Sequence, residues 1–563
     1  MSAAGLALGF PLAASLVGWA LLRRVRDLDA EERLAAALGV GIAVLAGAQF
    51  LAFATGLGQG VVVLGMALAA ALAWLTAPSP PALRWDPWLP GLVLLAWLQI
   101  LLIEAVLPGF AGGNWYFDWW MHYDAALIFL GERDPHTVWG QDFSIASRNP
   151  LFNLAVAAPM GFGGGRFWAF QATAATTNGA VVLALYLVLR GLFGRRAAIL
   201  GAGLACLNIW LMHLAWFTWS KTLVAFYLLL ALHFHLRSLQ REAADAAAAG
   251  RDFAGFWLAS VLAFLTHQLA APYVAALLAH GVVWAWRQGR LGAFLAPRRL
   301  GGYALATLAL LAPWYGWLLA EFGPGSMLRA SPLLAMNETA VTPVGLLHAM
   351  GMNALHSIGP VFVDMPRGPI RATELYRWLT KVEFNQAIGA ITLAQGLGLL
   401  VLLWRRVAGT GHAGRGVAPG AACATALAVF ALLGAALSLP LHPREDPYGL
   451  LPANLFPAML AALVWSAGLL ARHAGRRLLR LVVAVATLEY LALFWSHVAA
   501  VGWLDPNDIN SGLKATNGLV FLADLLGPAR PLAMAALLTM QLALGVLAAR
   551  RISMERLPAD TAG

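Results

Sequence analysis

Residues 3–26 read AAGLALGFPLAASLVGWALLRRVR, and the order of the two halves decides how the chain is to be read. Ala3 to Leu22 carry no charge, and Arg23-Arg24-Val25-Arg26 follow. Crossing hydrocarbon takes about 20 apolar residues in a helix. A cleavable signal peptide has its positive charge before the apolar run, whereas here the charge comes after it. The segment therefore reads as a retained first helix with its N-terminus outside and its basic turn in the cytoplasm.

The rest of the chain repeats this pattern. Of 563 residues, 60% are hydrophobic and 11% charged, and the mean hydropathy is +0.72. Soluble domains carry about 25% charged residues, so the solvent for this much apolar surface is lipid. The 23 tryptophans suit interfacial belts. A net charge of +10 could point to nucleic acid, but the basic residues sit in short clusters between apolar runs, where membrane topology places them. No nucleic-acid partner is expected. Cys206 and Cys423 lie inside apolar runs and suggest neither a disulfide framework nor a metal site.

About fifteen apolar segments qualify as spans, which predicts an all-α polytopic membrane protein with about 13–15 transmembrane helices. With the N-terminus outside, about 25 of the 37 Lys and Arg fall on the cytoplasmic side, and the C-terminus is cytoplasmic too. Residues 1–88 hold extra N-terminal spans, 89–320 a core, and 387–563 the C-terminal spans. Long outer segments fall at 109–166, 321–386 and 496–530. Their Trp, Phe and Tyr content predicts folded caps rather than disorder. Within the second, apolar positions 344, 347, 351, 355 and 358 are spaced as in a short amphipathic helix on the membrane surface. No phosphate loop of the ATPase kind is present.

The first outer segment opens with Gly113-Asn-Trp-Tyr-Phe-Asp118-Trp-Trp-Met-His122-Tyr123-Asp124. Aromatics at this depth are ordinary girdle residues. An acid among them is not, and a carboxylate beside a low-dielectric boundary suits a base. Thirty residues on come Arg148-Asn149-Pro150-Leu151. Later come Leu192-Phe193-Gly194-Arg195-Arg196, the outer turn Trp216-Phe-Thr-Trp-Ser220-Lys221, the pair Thr266-His267 and the turn His442-Pro-Arg444 that leads to Leu450-Leu-Pro452.

In their order and sidedness these motifs resemble the GT-C superfamily of polyprenyl-phosphate-sugar-dependent glycosyltransferases, in the branch of the protein O-mannosyltransferases and lipid A aminoarabinose transferases. The resemblance covers roughly residues 89–470. The acidic residue after a transmembrane helix falls on Asp118, the Tyr-containing helix with its Leu-Gly end on Tyr123 and Leu130-Gly131, and the basic residue before Pro-Leu on Arg148. The acid that is often doubled in the family is single here, since Trp119 follows Asp118.

The resemblance implies an inverting transfer of a sugar from a polyprenyl-phosphate donor to a hydroxyl of a lipid, protein or polysaccharide acceptor, in a bacterial inner membrane. Asp118 would take the proton of the incoming hydroxyl. Arg148, Lys221 and Arg444 would neutralise the leaving phosphate. Snorkelling or local ion pairing is the plainer account of each cation. His122, one helical turn from Asp118, could orient it, and Tyr123, Asp124 and His267 are second-rank candidates. The resemblance leaves a divalent cation open, and no residue set has metal-ligand spacing. Glu489, an acid inside a span, reads as an interhelical hydrogen-bonding group, and His233 and His235 as interfacial. The competing reading is a secondary transporter, flippase or polymerase for lipid-linked glycans. Transporters usually show an inverted repeat, and this sequence shows no clear one.

Overall fold

The computed structural model describes residues 3–76 (26 excepted), 86, 88–109, 116–139, 143–241, 245–330, 391–408, 419–438, 455–502 and 518–554, with six positions between 343 and 351. The helices that open the chain are α1 (Ala3–Leu22), α2 (Ala30–Thr55), α3 (Gln59–Thr76) and α4 (Trp88–Val106). The first outer segment follows, with α5 (Tyr116–Phe129), a two-residue antiparallel pair β1 (Val138–Trp139) and β2 (Phe143–Ser144), and α6 (Leu151–Met160). Then come α7 (Phe167–Gly179), α8 (Val181–Phe193), α9 (Arg195–Cys206), α10 (Ile209–Trp216), α11 (Lys221–Arg241), α12 (Ala246–Thr266) and α13 (Ala270–Arg287). The short α14 (Leu291–Phe294) leads to α15 (Pro297–Ala330), which is kinked at Gly323. The described chain closes with α16 (Leu393–Val407), α17 (Ala421–Leu437), α18 (Phe456–His473), α19 (Arg476–Gly502), α20 (Leu522–Leu526) and α21 (Arg530–Met554).

The apolar segments of the sequence all emerge as helices, and the chain is a multi-pass membrane protein. Among the described residues ten helical stretches, with α7–α8 and α20–α21 each counted as one, are long and apolar enough to cross a membrane. The pair α9–α10, bent by 63°, makes up to eleven. The described residues thus hold fewer than the 13–15 expected of the whole chain. Length is one reason, because α16 has 15 residues and α17 has 17, short of the ~20 a span needs.

Tight packing needs residues without side chains. A Cβ on Gly18 would lie 1.8 Å from the Ala37 carbonyl oxygen, and one on Gly41 1.7 Å from that of Ala14. These two glycines let α1 and α2 pack backbone to backbone, as small residues do between membrane helices. The α7–α8 stretch is buried throughout and forms the centre of the bundle with α11. Glu489 accepts the Leu393 and Ala394 N–H groups at 3.0 and 3.2 Å. It thus caps α16, an interhelical role of the kind expected.

Charged ties hold one face. Asp29 and Glu32 form a capping box at the start of α2. Glu32 also meets His233 at 3.1 Å and pairs with Arg237. Arg190 reaches Asp29 at 2.6 Å and Glu31 at 2.7 Å. Arg195 grips Asp86 with Nε at 2.6 Å and a terminal nitrogen at 2.9 Å, and the Tyr186 hydroxyl donates to the same carboxylate at 2.8 Å. These residues come from alternate loops, and all were assigned to the cytoplasm. His233 and His235 are both buried within the protein, with His235 Nε2 3.1 Å from His280 Nδ1.

The other loops meet at the opposite end. Gln49 donates to the Phe129 carbonyl at 2.8 Å, Arg530 to that of Val106 at 2.8 Å, and the Leu522 N–H to Gln171 at 2.7 Å. These three ties join loops that the sequence reading places on one side.

The Asp86 site yields a stability prediction. Asp86 is buried and Arg195 about half exposed, so Asp86→Ala should cost about 2 kcal/mol, between the values for surface and buried pairs. The measure is the unfolding midpoint in detergent, and Arg195→Ala added to Asp86→Ala should lower it little further.

Candidate functional site

The helix α5 ends on Leu130-Gly131. Gly131 has φ 76°, its N–H donates to Ile128, and the Glu132 N–H reaches back to Leu127 at 2.9 Å. A left-handed glycine closing a helix in this way satisfies its last carbonyls. The backbone of Asp118 lies in the first turn of α5; its side chain is outside the described set, as is all of Arg444. One turn on, His122 is buried and its Nδ1 is 2.8 Å from Asn153 Oδ1 on α6. Asn153 carries no candidate role in the sequence reading, although an amide inside an apolar helix is the kind of residue that marks a buried polar site.

Arg148 sits in extended backbone just before α6. Pro150 is the cap residue of α6, and Asn149 ties this corner to the Phe264 carbonyl of α12. The Arg-Asn-Pro-Leu motif is thus the joint at which the outer segment turns into a helix. Arg148 contacts Met121 Sδ at 3.8 Å. Lys221 is the first residue of α11 and its Nζ lies 3.3 Å from His267 Nε2 and 5.8 Å from the centre of the Trp219 ring. His267 follows the last turn of α12 in extended backbone, and its Nδ1 accepts the Leu269 N–H at 3.0 Å.

These four side chains act on one another. Burial, then the charge of Arg148, pulls His122 down to about 3, against the hydrogen bond to Asn153. Burial, then Lys221 and Arg148, holds His267 well below its usual range. Both rings are neutral at physiological pH. The hydrogen bonds then assign their protons. His267 Nδ1 accepts, so its proton is on Nε2, facing the Lys221 ammonium. Two donors turned toward each other fit an acceptor they can share, and a phosphoryl oxygen is such an acceptor. His122 Nδ1–H donates to Asn153, which leaves Nε2 as the basic nitrogen.

The turn before Lys221 is strained. Among the described residues Thr218 is the one non-glycine with positive φ, 58°, and it is fully buried. A β-branched residue there costs about 1–3 kcal/mol and points to a functional turn. Nothing in the sequence marks this backbone.

Tyr123 and Asp124 lie apart from the cluster. The Tyr123 hydroxyl donates to the Gly165 carbonyl at 2.7 Å and its ring meets Phe167 and Phe170 edge-on. Asp124 accepts Trp139 Nε1 at 2.7 Å and pairs with Arg133 at 3.3 Å. Burial raises its pKa against those two partners. Both residues pin the outer segment together. Among the described residues no group of three or more His, Cys, Asp or Glu could hold a metal ion.

The buried neutral His122 has a consequence for stability. An unfolded chain protonates this histidine near pH 6.5, and the folded one only at about 3. Between these values the unfolded state binds more protons, so stability rises with pH. The contribution is complete above about 6.5 and is lost as pH falls toward 3. Thermal unfolding followed from pH 7 to 4 should show this acid slope, and His122→Gln should flatten it; equal slopes would contradict a buried neutral ring.

No protein-family model matches the sequence, and comparison with curated proteins finds no match. Among solved structures the chain is similar to ArnT from Cupriavidus metallidurans in the apo state, with 16% identity, a TM-score of 0.47, and coverage of 83% of this chain and 75% of that one. The same protein bound to undecaprenyl phosphate gives 15% identity, a TM-score of 0.46 and coverage of 83% and 76%. The apo oligosaccharyltransferase of Archaeoglobus fulgidus gives 16% identity, a TM-score of 0.36, and coverage of 84% of this chain and 57% of that one.

Proposed function

We propose that the chain is a membrane glycosyltransferase that moves a sugar, with inversion, from a polyprenyl-phosphate carrier to an acceptor hydroxyl on the non-cytoplasmic face of a bacterial inner membrane. The observation that carries this reading is the meeting of Arg148, Lys221, His122 and His267 one helical turn from the backbone of Asp118. Asp118 and His122 are four residues apart on α5 and so belong to one helix face.

The division of labour follows from the chemistry. An acceptor hydroxyl needs a base as it attacks the anomeric carbon, and Asp118 is that base. The bond to the carrier phosphate breaks as the new glycosidic bond forms. The phosphate leaves as an anion, so it needs fixed cations more than a proton donor. Arg148 and Lys221 supply them, joined by Arg444 as a third cation. The carrier keeps its apolar tail in the bilayer while its phosphate lies at the outer ends of α11 and α12.

The test uses purified full-length protein and a panel of polyprenyl-phosphate sugars. Asp118→Asn should lower transfer by about 10²–10⁴-fold, the range for a lost general base, and Lys221→Ala and Arg148→Ala by about 10²-fold or more. Wild-type rates for Asp118→Asn would remove the catalytic assignment. Transport of a lipid-linked glycan without any transfer would favour the flippase reading. Orientation is tested separately. Cys206 and Cys423 are buried, so an impermeant maleimide should label Val138→Cys in intact cells and Arg299→Cys only after permeabilisation.

A further inference from the structure

Lys221 begins α11, and the residues on either side of it carry hydroxyls. Ser220 directly precedes the helix, and the Val224 N–H bonds to its carbonyl at 3.0 Å. A serine at that position ordinarily accepts a first-turn N–H with its side chain. Here Ser220 Oγ is buried and bonded to nothing among the described residues. Thr222, in the first turn, is fully buried and its Oγ1 has no partner among them either.

This departs from the protein's own habit. Thr173, Thr177, Thr266 and Thr487 each donate their hydroxyl to the carbonyl four residues back, at 2.8–2.9 Å. For Thr222 that carbonyl belongs to Thr218, the residue in left-handed backbone, and the Thr222 hydroxyl does not bond to it. Three buried hydroxyls thus stand uncommitted among the described residues, Thr218 in the turn itself and Ser220 and Thr222 at the N-terminal end of the helix. That end has unbonded N–H groups and the positive end of the helix dipole. The same end carries the Lys221 ammonium, 3.3 Å from His267.

We propose that this turn is an oxyanion cradle: the Ser220 and Thr222 hydroxyls, with the first N–H groups of α11, hold the non-bridging phosphate oxygens of the lipid carrier beside Lys221. The inference rests on the polyprenyl-phosphate reading above and adds to it the contacts that fix the phosphate's position. The cations give attraction, and the hydroxyls and N–H groups give direction. The role of Thr218 lies in its backbone, whose left-handed turn keeps both hydroxyls free for the ligand.

Binding of a labelled polyprenyl phosphate to the full-length protein in nanodiscs tests this, with the corresponding polyprenol as control. Ser220→Ala and Thr222→Val should each weaken polyprenyl phosphate by about tenfold, the size of one hydrogen bond to a charged group, and leave the polyprenol unchanged. Ser220→Thr and Thr222→Ser, which keep a hydroxyl, should bind within about twofold of wild type. Thr218→Gly, which accepts positive φ freely, should bind as wild type does. Wild-type binding by Ser220→Ala and Thr222→Val would overturn the cradle and leave the glycosyltransferase reading standing. Equal losses in the hydroxyl-keeping variants, or for the polyprenol, would also overturn it by reducing the effect to packing. Failure of the wild-type protein to bind polyprenyl phosphate would remove the donor reading and the cradle together.

Discussion

A lysine buried at the first residue of an apolar helix is the constraint around which the outer face is arranged. Lys221 is nine-tenths buried, and an ammonium taken out of water is expensive unless other groups stabilise it. The turn before it carries the buried Trp216, Phe217 and Trp219. Its surroundings come from three separate parts of the chain: the end of α12 brings His267, the start of α6 brings Arg148, and α5 brings His122. Two of those parts meet irregular backbone, extended at Arg148 and at His267, and the turn before Lys221 itself is left-handed at Thr218. Irregular backbone at membrane depth survives only where protein satisfies it. The Asn149 and Leu269 hydrogen bonds do so.

Much of this was legible in the sequence, and the reasons for success and failure are physical. Hydropathy located the long apolar helices of the described chain, because lipid leaves few alternatives to a helix, but not the short ones such as Leu151–Met160 and Leu522–Leu526. Charge alternation grouped the loops correctly, since Arg190, Arg195, Arg237 and their carboxylates do meet on one face. Arg148, Lys221 and His267 stand out through the motifs of the family resemblance, His122 through its spacing from Asp118, and Lys221 also because a lone lysine in a short turn between apolar runs needs a reason to be there. Tyr123 and Asp124 looked equally suitable. Their partners, Gly165 and Trp139, lie 42 and 15 residues away, and no local pattern reports such contacts. The same holds for Asn153, and for the backbone of Thr218, which a β-branched residue disfavours.

The joints of the outer cluster and those of the opposite face are held by different forces, although the outer segment has an ion pair of its own in Asp124–Arg133, and the difference suits the proposed chemistry. On the face assigned to the cytoplasm the ties are ionic, with Glu32, Asp86 and Asp252 each shared among helices. Around the outer cluster the described ties are neutral amides: Asn149 to Phe264, Asn153 to His122, and, deeper in the bundle, Asn178 to the Ala215 carbonyl. A phosphate arriving among ion pairs would compete with their carboxylates for the same cations, and binding would loosen the joints that form the site. Amide ties have no such competitor, because a phosphate oxygen cannot replace a carbonyl as the Asn149 partner without breaking a buried neutral bond at a cost of about 1–3 kcal/mol. A site built on neutral ties can therefore take up and release a charged headgroup while its walls stay in place. That matters for a donor whose tail remains in the bilayer and whose phosphate must pass into and out of the cluster in every cycle.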